Sequence, residues 1–301
     1  MAAPPFALRA RRCAPRATLH FHLAVPRTSA TSYAIRGGEE GKRRLDLIGK
    51  LLAPSTEELL RRAGVGPGQH ALDLGCGGGH VTLAVARLVG PSGSVVGVDV
   101  DDVKLDLARQ DAERLGMPNV GFRRENVLEW REEDTYDVVS ARFLLSHLAN
   151  RQLLLGRMMD ALRPGGVCVV EDIDLAGLFC YPPSAAFTKY GTLYHEVVRR
   201  RGGDADLGPK LHGMFRDAGF EHLGVRVIQP VHTAWDDGKE LTLSTLENIA
   251  DAVLAERLVS PDELSATLAG LAAVAHDSTT LVSLPRIFGV WGRKPGAPAR
   301  S

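Results

Sequence analysis

Short apolar runs alternate with helical stretches along most of the chain. The runs are rich in valine, and the longer stretches between them space their apolar residues as a helix does. The pattern predicts strands at 70–74, 94–99, 120–124, 136–141, 167–172, 223–229 and 283–292. Short apolar strands between helices are typical of a parallel sheet buried on both faces. We therefore expect a doubly wound, Rossmann-like α/β fold with a mainly parallel sheet of seven strands.

The predicted helices connect these strands and also precede them. Those between strands are expected at 79–89, 101–115, 150–162 and 207–218. Ahead of the first strand, residues 41–64 form a helical lead-in whose leucine stripe is interrupted by Pro54. Because proline removes a helical hydrogen bond, two helices are expected here, the second capped by Ser55 or Thr56.

Two insertions interrupt the alternation in the second half of the chain. The first, at about 174–204, is rich in tyrosine and phenylalanine, and the second, at about 233–279, predicts helices at 239–257 and 261–275. Both insertions follow strands in the C-terminal half of the sheet, at 167–172 and 223–229. Together they are expected to form helical lids over the cleft outside the strand ends, where α/β sheets bind ligands.

The composition is that of an ordinary globular protein, with 45% hydrophobic and 24% charged residues among 301. The formal net charge is zero, so no global field favours nucleic acid or an anionic membrane as a partner. No apolar run approaches the roughly 18 residues needed to span a bilayer. We therefore expect no membrane segment.

The N-terminal residues 1–32 differ from the rest, because they are rich in arginine and the first acidic residue is Glu39. Such a segment is an organelle transit peptide, a disordered tail or translated sequence upstream of the true start. We expect a single domain at 33–301, with its core at 67–174.

The cysteines and histidines indicate no metal or disulfide. Cys13, Cys76, Cys168 and Cys180 are far apart, which indicates reduced thiols in a cytoplasmic protein. The ten histidines lack the spacing of metal ligands.

The turn after the first strand carries the clearest chemical signal. Asp73 lies near the end of that strand, and Gly75, Gly77 and Gly79 follow before a helical pattern starts. A strand that turns through glycines into a helix brings the backbone close to a ligand. A carboxylate ahead of the turn repels a pyrophosphate and suits a cationic ligand. Asp99, at the end of the second strand, is placed to bind both ribose hydroxyls of an adenosine.

Two kinds of nucleoside ligand are compatible with this turn, a nicotinamide dinucleotide and a cationic nucleoside. A dinucleotide fingerprint, Gly-x-Gly-x-x-Gly, requires a glycine where His80 stands, so the spacing departs from that of nicotinamide-binding proteins. The carboxylate at the end of the second strand serves either ligand.

Five segments follow one another in a characteristic order. They are Leu72-Asp-Leu-Gly-Cys-Gly-Gly-Gly79, Val98-Asp99, Glu125-Asn126-Val127, Tyr136-Asp-Val-Val with Ala141-Arg142-Phe143, and Leu162-Arg-Pro-Gly-Gly166. In these segments the chain resembles the class I methyltransferases that use S-adenosylmethionine, closely over 67–174 and more loosely at the later strands. The resemblance implies S-adenosylmethionine as cofactor and contacts to it from Asp73, Gly75, Cys76, Gly77, Asp99, Val100, Asn126, Val127, Arg142 and Phe143. Asn126 stands where the family usually has an aspartate that accepts from the adenine amino group, and an amide can also accept there.

Two histidines are candidates for a general base. A sulfonium methyl is already activated, so the protein must orient the nucleophile, exclude water and, for a hydroxyl or amine, remove a proton. His147 follows the fourth strand, where the family's methyl group usually points, and an ordinary imidazole titrates near neutrality. His195 lies at helical spacing from Tyr190 and Tyr194 in the first insertion. Alternatively, His147 caps a helix or lines the pocket wall, and His195 belongs to a packed aromatic lid face.

Three further charged residues end strands at the expected site. Arg142 either holds the cofactor's carboxylate or closes the pocket. Glu171 and Asp172, at the end of the fifth strand, either bind a cationic substrate or are ordinary surface carboxylates.

The expected acceptor is a small, partly apolar or aromatic molecule of secondary metabolism, methylated on oxygen or nitrogen, because the insertions are rich in apolar and aromatic residues. The place after the fourth strand reads Ser140-Ala-Arg-Phe143, without the Asp/Asn-Pro-Pro-Tyr/Phe motif of amino-methylating nucleic-acid enzymes. Alternatives are a nucleic-acid methyltransferase with a basic N-terminal tail, a non-catalytic binding module and a nicotinamide-dependent oxidoreductase. The sequence leaves open whether the chain forms a homodimer.

Overall fold

The structure is a computed structural model and describes residues 38–233 and 236–296. The strands are β1 His70–Leu74, β2 Ser94–Asp99, β3 Val120–Arg124, β4 Tyr136–Arg142, β5 Leu162–Asp174, β6 Cys180–Tyr181, β7 Glu221–Ile228, β8 Val231–His232, β9 Leu281–Ser283 and β10 Arg286–Arg293. The helices are α1 Gly38–Ala63, α2 His80–Val89, α3 Asp102–Arg114, α4 Arg151–Ala161, α5 Ala185–Arg200, α6 Leu211–Asp217, α7 Glu240–Ala255 and α8 Pro261–His276.

Seven of these strands form one sheet in the order β3-β2-β1-β4-β5-β10-β7. The strands β1 to β5 pair in parallel, while β10 lies antiparallel between β5 and β7. The strand order reverses between β1 and β4, and open α/β sheets bind ligands at such a switch point. The predicted Rossmann-like, mainly parallel seven-stranded sheet is confirmed.

Helices cover both faces of this sheet because its strands are apolar on both sides. On one face, buried side chains of α1 and α2 pack on alternate strand residues such as Ala71, Val138 and Val169. On the other face, α4 and α6 pack on Leu72 and Val139. Successive strand residues point to opposite faces, so the odd-numbered residues of β1 and β5 and the even-numbered residues of β4 face α1 and α2.

The two insertions form a layer of helices with a core of their own. Helices α5, α7 and α8 pack around Phe187, Tyr190, Leu246 and Ile249. Ile173 of β5 belongs to the same core, so these lid helices rest on the carboxyl end of that strand. A small antiparallel sheet, β6-β9-β8, joins the two insertions. Its strands have only two or three residues, too few to leave a periodic pattern in the sequence.

The N-terminal lead-in is one helix, so its predicted division at Pro54 is wrong. Helix α1 runs without a break and contains the proline. Proline costs a helix one hydrogen bond, but here the buried apolar face continues on both sides of it through Leu52 and Leu59. The hydroxyl of Ser55 donates to the carbonyl of Leu52 at 2.9 Å and does not cap a second helix. Tertiary packing thus outweighs the local helix breaker.

Two strand boundaries also differ from the prediction. The strand β5 starts before the expected turn, and its pairing with β4 shifts between Leu162 and Val167, so the Pro-Gly-Gly segment is an irregularity within the strand. The last predicted strand is divided, because Ser283 ends β9 and β10 begins only at Arg286.

Some expectations concern features outside this description. The predicted tail at 1–32 lies outside the described residues, and so do the first residues of the expected domain.

Among the helices in the described part of the chain, none combines the length and apolar character required to cross a bilayer. Within the same residues, no three histidine, cysteine or carboxylate side chains gather as a metal site.

Candidate active site at the carboxyl ends of the central strands

The turn between β1 and α2 depends on its glycines. Gly75, Gly77 and Gly79 have φ of 66°, 51° and 80°, a region that other residues rarely adopt. The Gly-x-Gly-x-Gly spacing in the sequence therefore reflects a backbone requirement. A Cβ at Gly77 would lie 2.8 Å from Cδ1 of Leu45, so α1 lies directly against the turn.

The carboxylate of Asp99 lies beside the turn, at the end of β2. Its two oxygens accept hydrogen bonds from the backbone N–H groups of Gly77 at 2.9 Å and Asp101 at 3.0 Å, which fix its orientation. Each carboxylate oxygen has a further lone pair, so the group can also accept from two neighbouring hydroxyls. Val100, the next residue, is 51% exposed and offers an apolar surface to a flat base. These residues fit the adenosine part of S-adenosylmethionine.

The segment after β3 contains Asn126 and Val127. The side-chain oxygen of Asn126 accepts from the N–H of Leu128 at 3.0 Å, so it is engaged within its own loop. Val127 is buried in the core beside it. The expected contact of Asn126 with an adenine stays a prediction.

Asp73 lies beneath the glycine turn and is 1% exposed. Its carboxylate accepts from the hydroxyls of Thr82 at 2.7 Å and Ser140 at 3.0 Å. Burial raises the pKa of Asp73 to about 6, although both hydroxyls favour the ionised form. Burial and the charges of Asp73 and Asp99 raise the pKa of the neighbouring Cys76, whose thiol therefore stays protonated. The enclosed carboxylate makes the potential beneath the turn negative, which suits a cationic ligand above it.

Arg142 joins α1 to the sheet at the end of β4. Its Nη1 donates to Oγ1 of Thr56 at 3.2 Å, and the Thr56 hydroxyl donates to Oε2 of Glu171 at 2.7 Å. Burial lowers the pKa of Arg142, while the charges of Glu171 and Asp73 oppose that change. The guanidinium carbon lies 5.7 Å from the ring centre of Phe143, which has a positive φ of 53°. A network from α1, β1, β4 and β5 therefore meets at the strand ends.

Glu171 and Asp172 are not surface carboxylates, so that interpretation is wrong. They are 5% and 0% exposed, because the lid helices and α1 cover the end of β5. Asp172 accepts from the N–H groups of Ser146 and Ile173, both at 2.9 Å. Burial raises the pKa of Glu171, and it raises the pKa of Asp172 to about 6.

Helix α1 supplies contacts at the glycine turn that sequence reasoning missed. Lys42 is buried and donates to Asp46 at 2.5 Å and to Asp111 of α3 at 2.9 Å. A Cβ on Gly78 would lie 2.8 Å from the Lys42 side chain, so the lysine passes directly over the turn. His80, also beside Asp46, has its pKa lowered to about 4 by burial. The i, i+4 spacing of Lys42 and Asp46 was the only signal in the sequence.

His147 forms part of the wall beside the lid. It ends a 3₁₀ turn, Leu145–His147, is 5% exposed, and its ring meets that of Tyr194 edge-on with centres 6.5 Å apart. Burial lowers the pKa of His147 to about 3, assisted by the charges of Arg44 and Arg201. The imidazole is therefore neutral at pH 7 and a weak base. Its catalytic role stays a prediction.

His195 lies on another side of α5, about 100° around the helix from Tyr194. Its Nε2 is 3.1 Å from Oδ2 of Asp206, and its side chain is 45% exposed. It lines a cavity of about 410 Å³ together with Phe187 and Thr188. The structure thus gives His147 and His195 different surroundings, and the role of His195 also stays a prediction.

Comparison with known proteins agrees with this geometry. The sequence profile of the methyltransferase domain family matches residues 66–219. A demethylmenaquinone methyltransferase from Bacillus cytotoxicus is 28% identical over 189 residues, which are 56% of this chain and 77% of the relative. The ubiquinone/menaquinone biosynthesis C-methyltransferase UbiE from Vibrio campbellii is 28% identical over 198 residues, 59% of this chain and 76% of the relative.

A solved structure shares the fold. Phosphoethanolamine N-methyltransferase 2 from Haemonchus contortus, in complex with S-adenosyl-L-methionine, aligns with a TM-score of 0.50 at 18% identity, over 80% of this chain and 52% of that protein. The sheet, the glycine turn and the profile match lead to one conclusion. The chain belongs to the methyltransferase domain family and is a class I methyltransferase whose cofactor is S-adenosylmethionine.

Proposed function

We propose that the protein transfers the methyl group to an oxygen or nitrogen of a small, partly apolar or aromatic acceptor. The observation that carries this proposal is the position of Phe143. This residue directly follows β4 and packs against both the lid core and the apolar residues of α1. A molecule between the cofactor edge and the lid would therefore meet aromatic and aliphatic side chains, as small-molecule sites usually provide.

The residues at the strand ends have distinct tasks in this proposal. When bound, S-adenosylmethionine supplies an electrophilic methyl group on a sulfonium. Asp99 binds the ribose, Asp73 keeps the potential beneath the turn negative, and Arg142 orders the end of β4. Helix α1 and the lid exclude water and hold the acceptor in line, which is the main contribution that such a transfer requires from a protein.

Carbon is the second candidate for the accepting atom. It is favoured by the names of two relatives, a demethylmenaquinone methyltransferase and a C-methyltransferase of ubiquinone and menaquinone biosynthesis. The low basicity of His147 is compatible with an acceptor that is already ionised when it binds.

Methyl-labelled S-adenosylmethionine tests the proposal and locates the accepting atom. The protein is incubated with 1-naphthol, 1-naphthylamine, 1,4-naphthohydroquinone or total RNA, and the labelled position is read by mass spectrometry and NMR. Label on the oxygen or nitrogen of a naphthalene supports the proposal, and label on a ring carbon supports the second candidate. Label in RNA alone, lost on deletion of residues 1–32, would replace both with the nucleic-acid alternative.

A further inference from the structure

The side chain of Arg44, in α1, reaches the lid helices away from the residues that we assign to the cofactor. Nε of Arg44 donates to Oγ1 of Thr245 in α7 at 2.9 Å. The Thr245 hydroxyl donates to the carbonyl of Leu241 at 2.6 Å, and it lies beside the phenol of Tyr190 in α5, whose pKa burial raises and Thr245 lowers. Three elements of different origin therefore converge on one threonine.

The second observation concerns the charge of Arg44. Among the side chains of 41–233 and 236–296, no carboxylate pairs with this guanidinium, and Thr245 is its one polar partner. Its field reaches both Tyr190 and His147, which are uncharged at neutral pH. The neighbouring Arg201, by contrast, is paired with Glu256 at 3.1 Å. A guanidinium beside buried aromatic rings attracts an oxyanion, and its planar donors suit a carboxylate.

An unsatisfied acceptor lies one turn along the same helix. Asn248 is 7% exposed, and its amide nitrogen donates to the carbonyl of Ser244 at 2.8 Å. Its amide oxygen is buried and receives no hydrogen bond from any described residue. Residues three apart on a helix are neighbours, so this oxygen lies near Thr245. A buried acceptor without a donor costs free energy unless a ligand supplies one.

The cluster adjoins the cofactor turn through α1. Leu45, the residue after Arg44, is the side chain that a Cβ at Gly77 would meet. Arg44, in the same helical turn, donates to Thr245 of α7, so α1 links this cluster to the cofactor turn.

We propose that Arg44, Tyr190, Thr245 and Asn248 form the acceptor site, and that they select an aromatic acceptor with an anionic oxygen and an adjacent hydrogen-bond donor. Arg44 binds the oxyanion, and Asn248 accepts from the donor. The use of this site for methylation rests on the proposed function above, but the binding of such a ligand does not.

Titration calorimetry with matched probes tests this site. The probes are 3-hydroxy-2-naphthoate and its neutral analogue 3-hydroxy-2-naphthamide, each titrated with and without S-adenosylhomocysteine. The wild type is expected to bind the naphthoate at least tenfold more tightly than the amide. Arg44→Gln removes this preference and leaves the affinity for S-adenosylhomocysteine within twofold, while Arg44→Lys retains part of the preference. Arg43→Gln, at the exposed neighbouring position, is the control and binds like the wild type.

Two results would overturn the site: no preference for the naphthoate in the wild type, or an unchanged preference in Arg44→Gln. The circular dichroism of each variant checks its fold. Naphthoate binding without any S-adenosylhomocysteine binding would contradict the methyl-transfer function and leave the oxyanion site standing, so the two proposals fail separately.

Discussion

Replacement of Asp73 by asparagine removes a buried charge and keeps the shape of the side chain. In the wild type, burial raises the pKa of this carboxyl from 3.8 to about 6. The difference is about 2.2, and each pKa unit corresponds to about 1.36 kcal/mol, so ionisation costs the folded state about 3 kcal/mol at pH 7.5. An amide avoids this cost, because the hydroxyls of Thr82 and Ser140 can donate to it or accept from it.

The direction in which the stability changes with pH follows from the number of protons that the folded and unfolded states bind. A folded-state pKa above the unfolded value means that the folded protein binds more protons between pH 3.8 and 6. The stabilisation from the protonated carboxyl is therefore complete below the unfolded pKa and is lost as the pH rises through the folded pKa. The Asp73→Asn variant lacks this loss. Asp172, whose pKa is also raised to about 6, is present in both proteins and cancels in the comparison.

Urea unfolding at pH 4.5 and pH 7.5 measures the effect. Asp73→Asn is expected to be more stable than the wild type by up to about 3 kcal/mol at pH 7.5, with a smaller difference at pH 4.5. Its affinity for S-adenosylmethionine is expected to fall by about tenfold, because the potential beneath the turn is no longer negative. Asp106→Asn, at a position with a 66% exposed side chain, is the control. A variant no more stable than the wild type at pH 7.5 would refute the reasoning.

Three further predictions concern the same region. Lys42→Met removes the buried ammonium that joins Asp46 to Asp111, although Asp111 keeps Arg114 at 3.0 Å, and it is expected to destabilise the protein by about 1–3 kcal/mol in urea, whereas Lys50→Met, which breaks an exposed pair, changes less than about 0.5 kcal/mol. Gly77→Ala forces a Cβ towards α1 and is expected to raise the Kd for S-adenosylhomocysteine at least tenfold; an unchanged Kd contradicts the close contact. With a pKa of about 3, His147 gives no limb near pH 6.5 in the pH profile of kcat, and a limb that disappears in His147→Gln would show otherwise.

The sheet and the cofactor turn were predictable because their signals are local. The glycines at 75, 77 and 79 encode a left-handed backbone, and Asp99 is the last residue of a valine-rich strand. The predicted break at Pro54 also rested on a local signal, the proline itself. It was wrong because the packing of the buried face of α1 outweighs that signal. The short strands of the small sheet had too few residues to show any period.

The remaining site residues depend on contacts between distant parts of the chain. Thr56 bonds to Glu171 across 115 positions, and Arg44 bonds to Thr245 across 201 positions. No residue spacing in the sequence indicates such a pair. The two residues meet only because the fold places α1 against the glycine turn and α7 against α1. For this reason the sequence indicates the methyl donor, S-adenosylmethionine. The residues proposed to surround the methyl acceptor are identified only from the structure.

Calorimetric titration with S-adenosylhomocysteine tests the central claim most directly. The wild type and Asp106→Ala are expected to bind with the same Kd, because Asp106 lies on the exposed side of α3. Asp99→Ala removes the carboxylate that we propose binds the ribose and is expected to bind at least tenfold more weakly, which is about 1.4 kcal/mol. A wild type that gives no heat of binding, or an Asp99→Ala variant that binds as tightly as the wild type, would contradict the account.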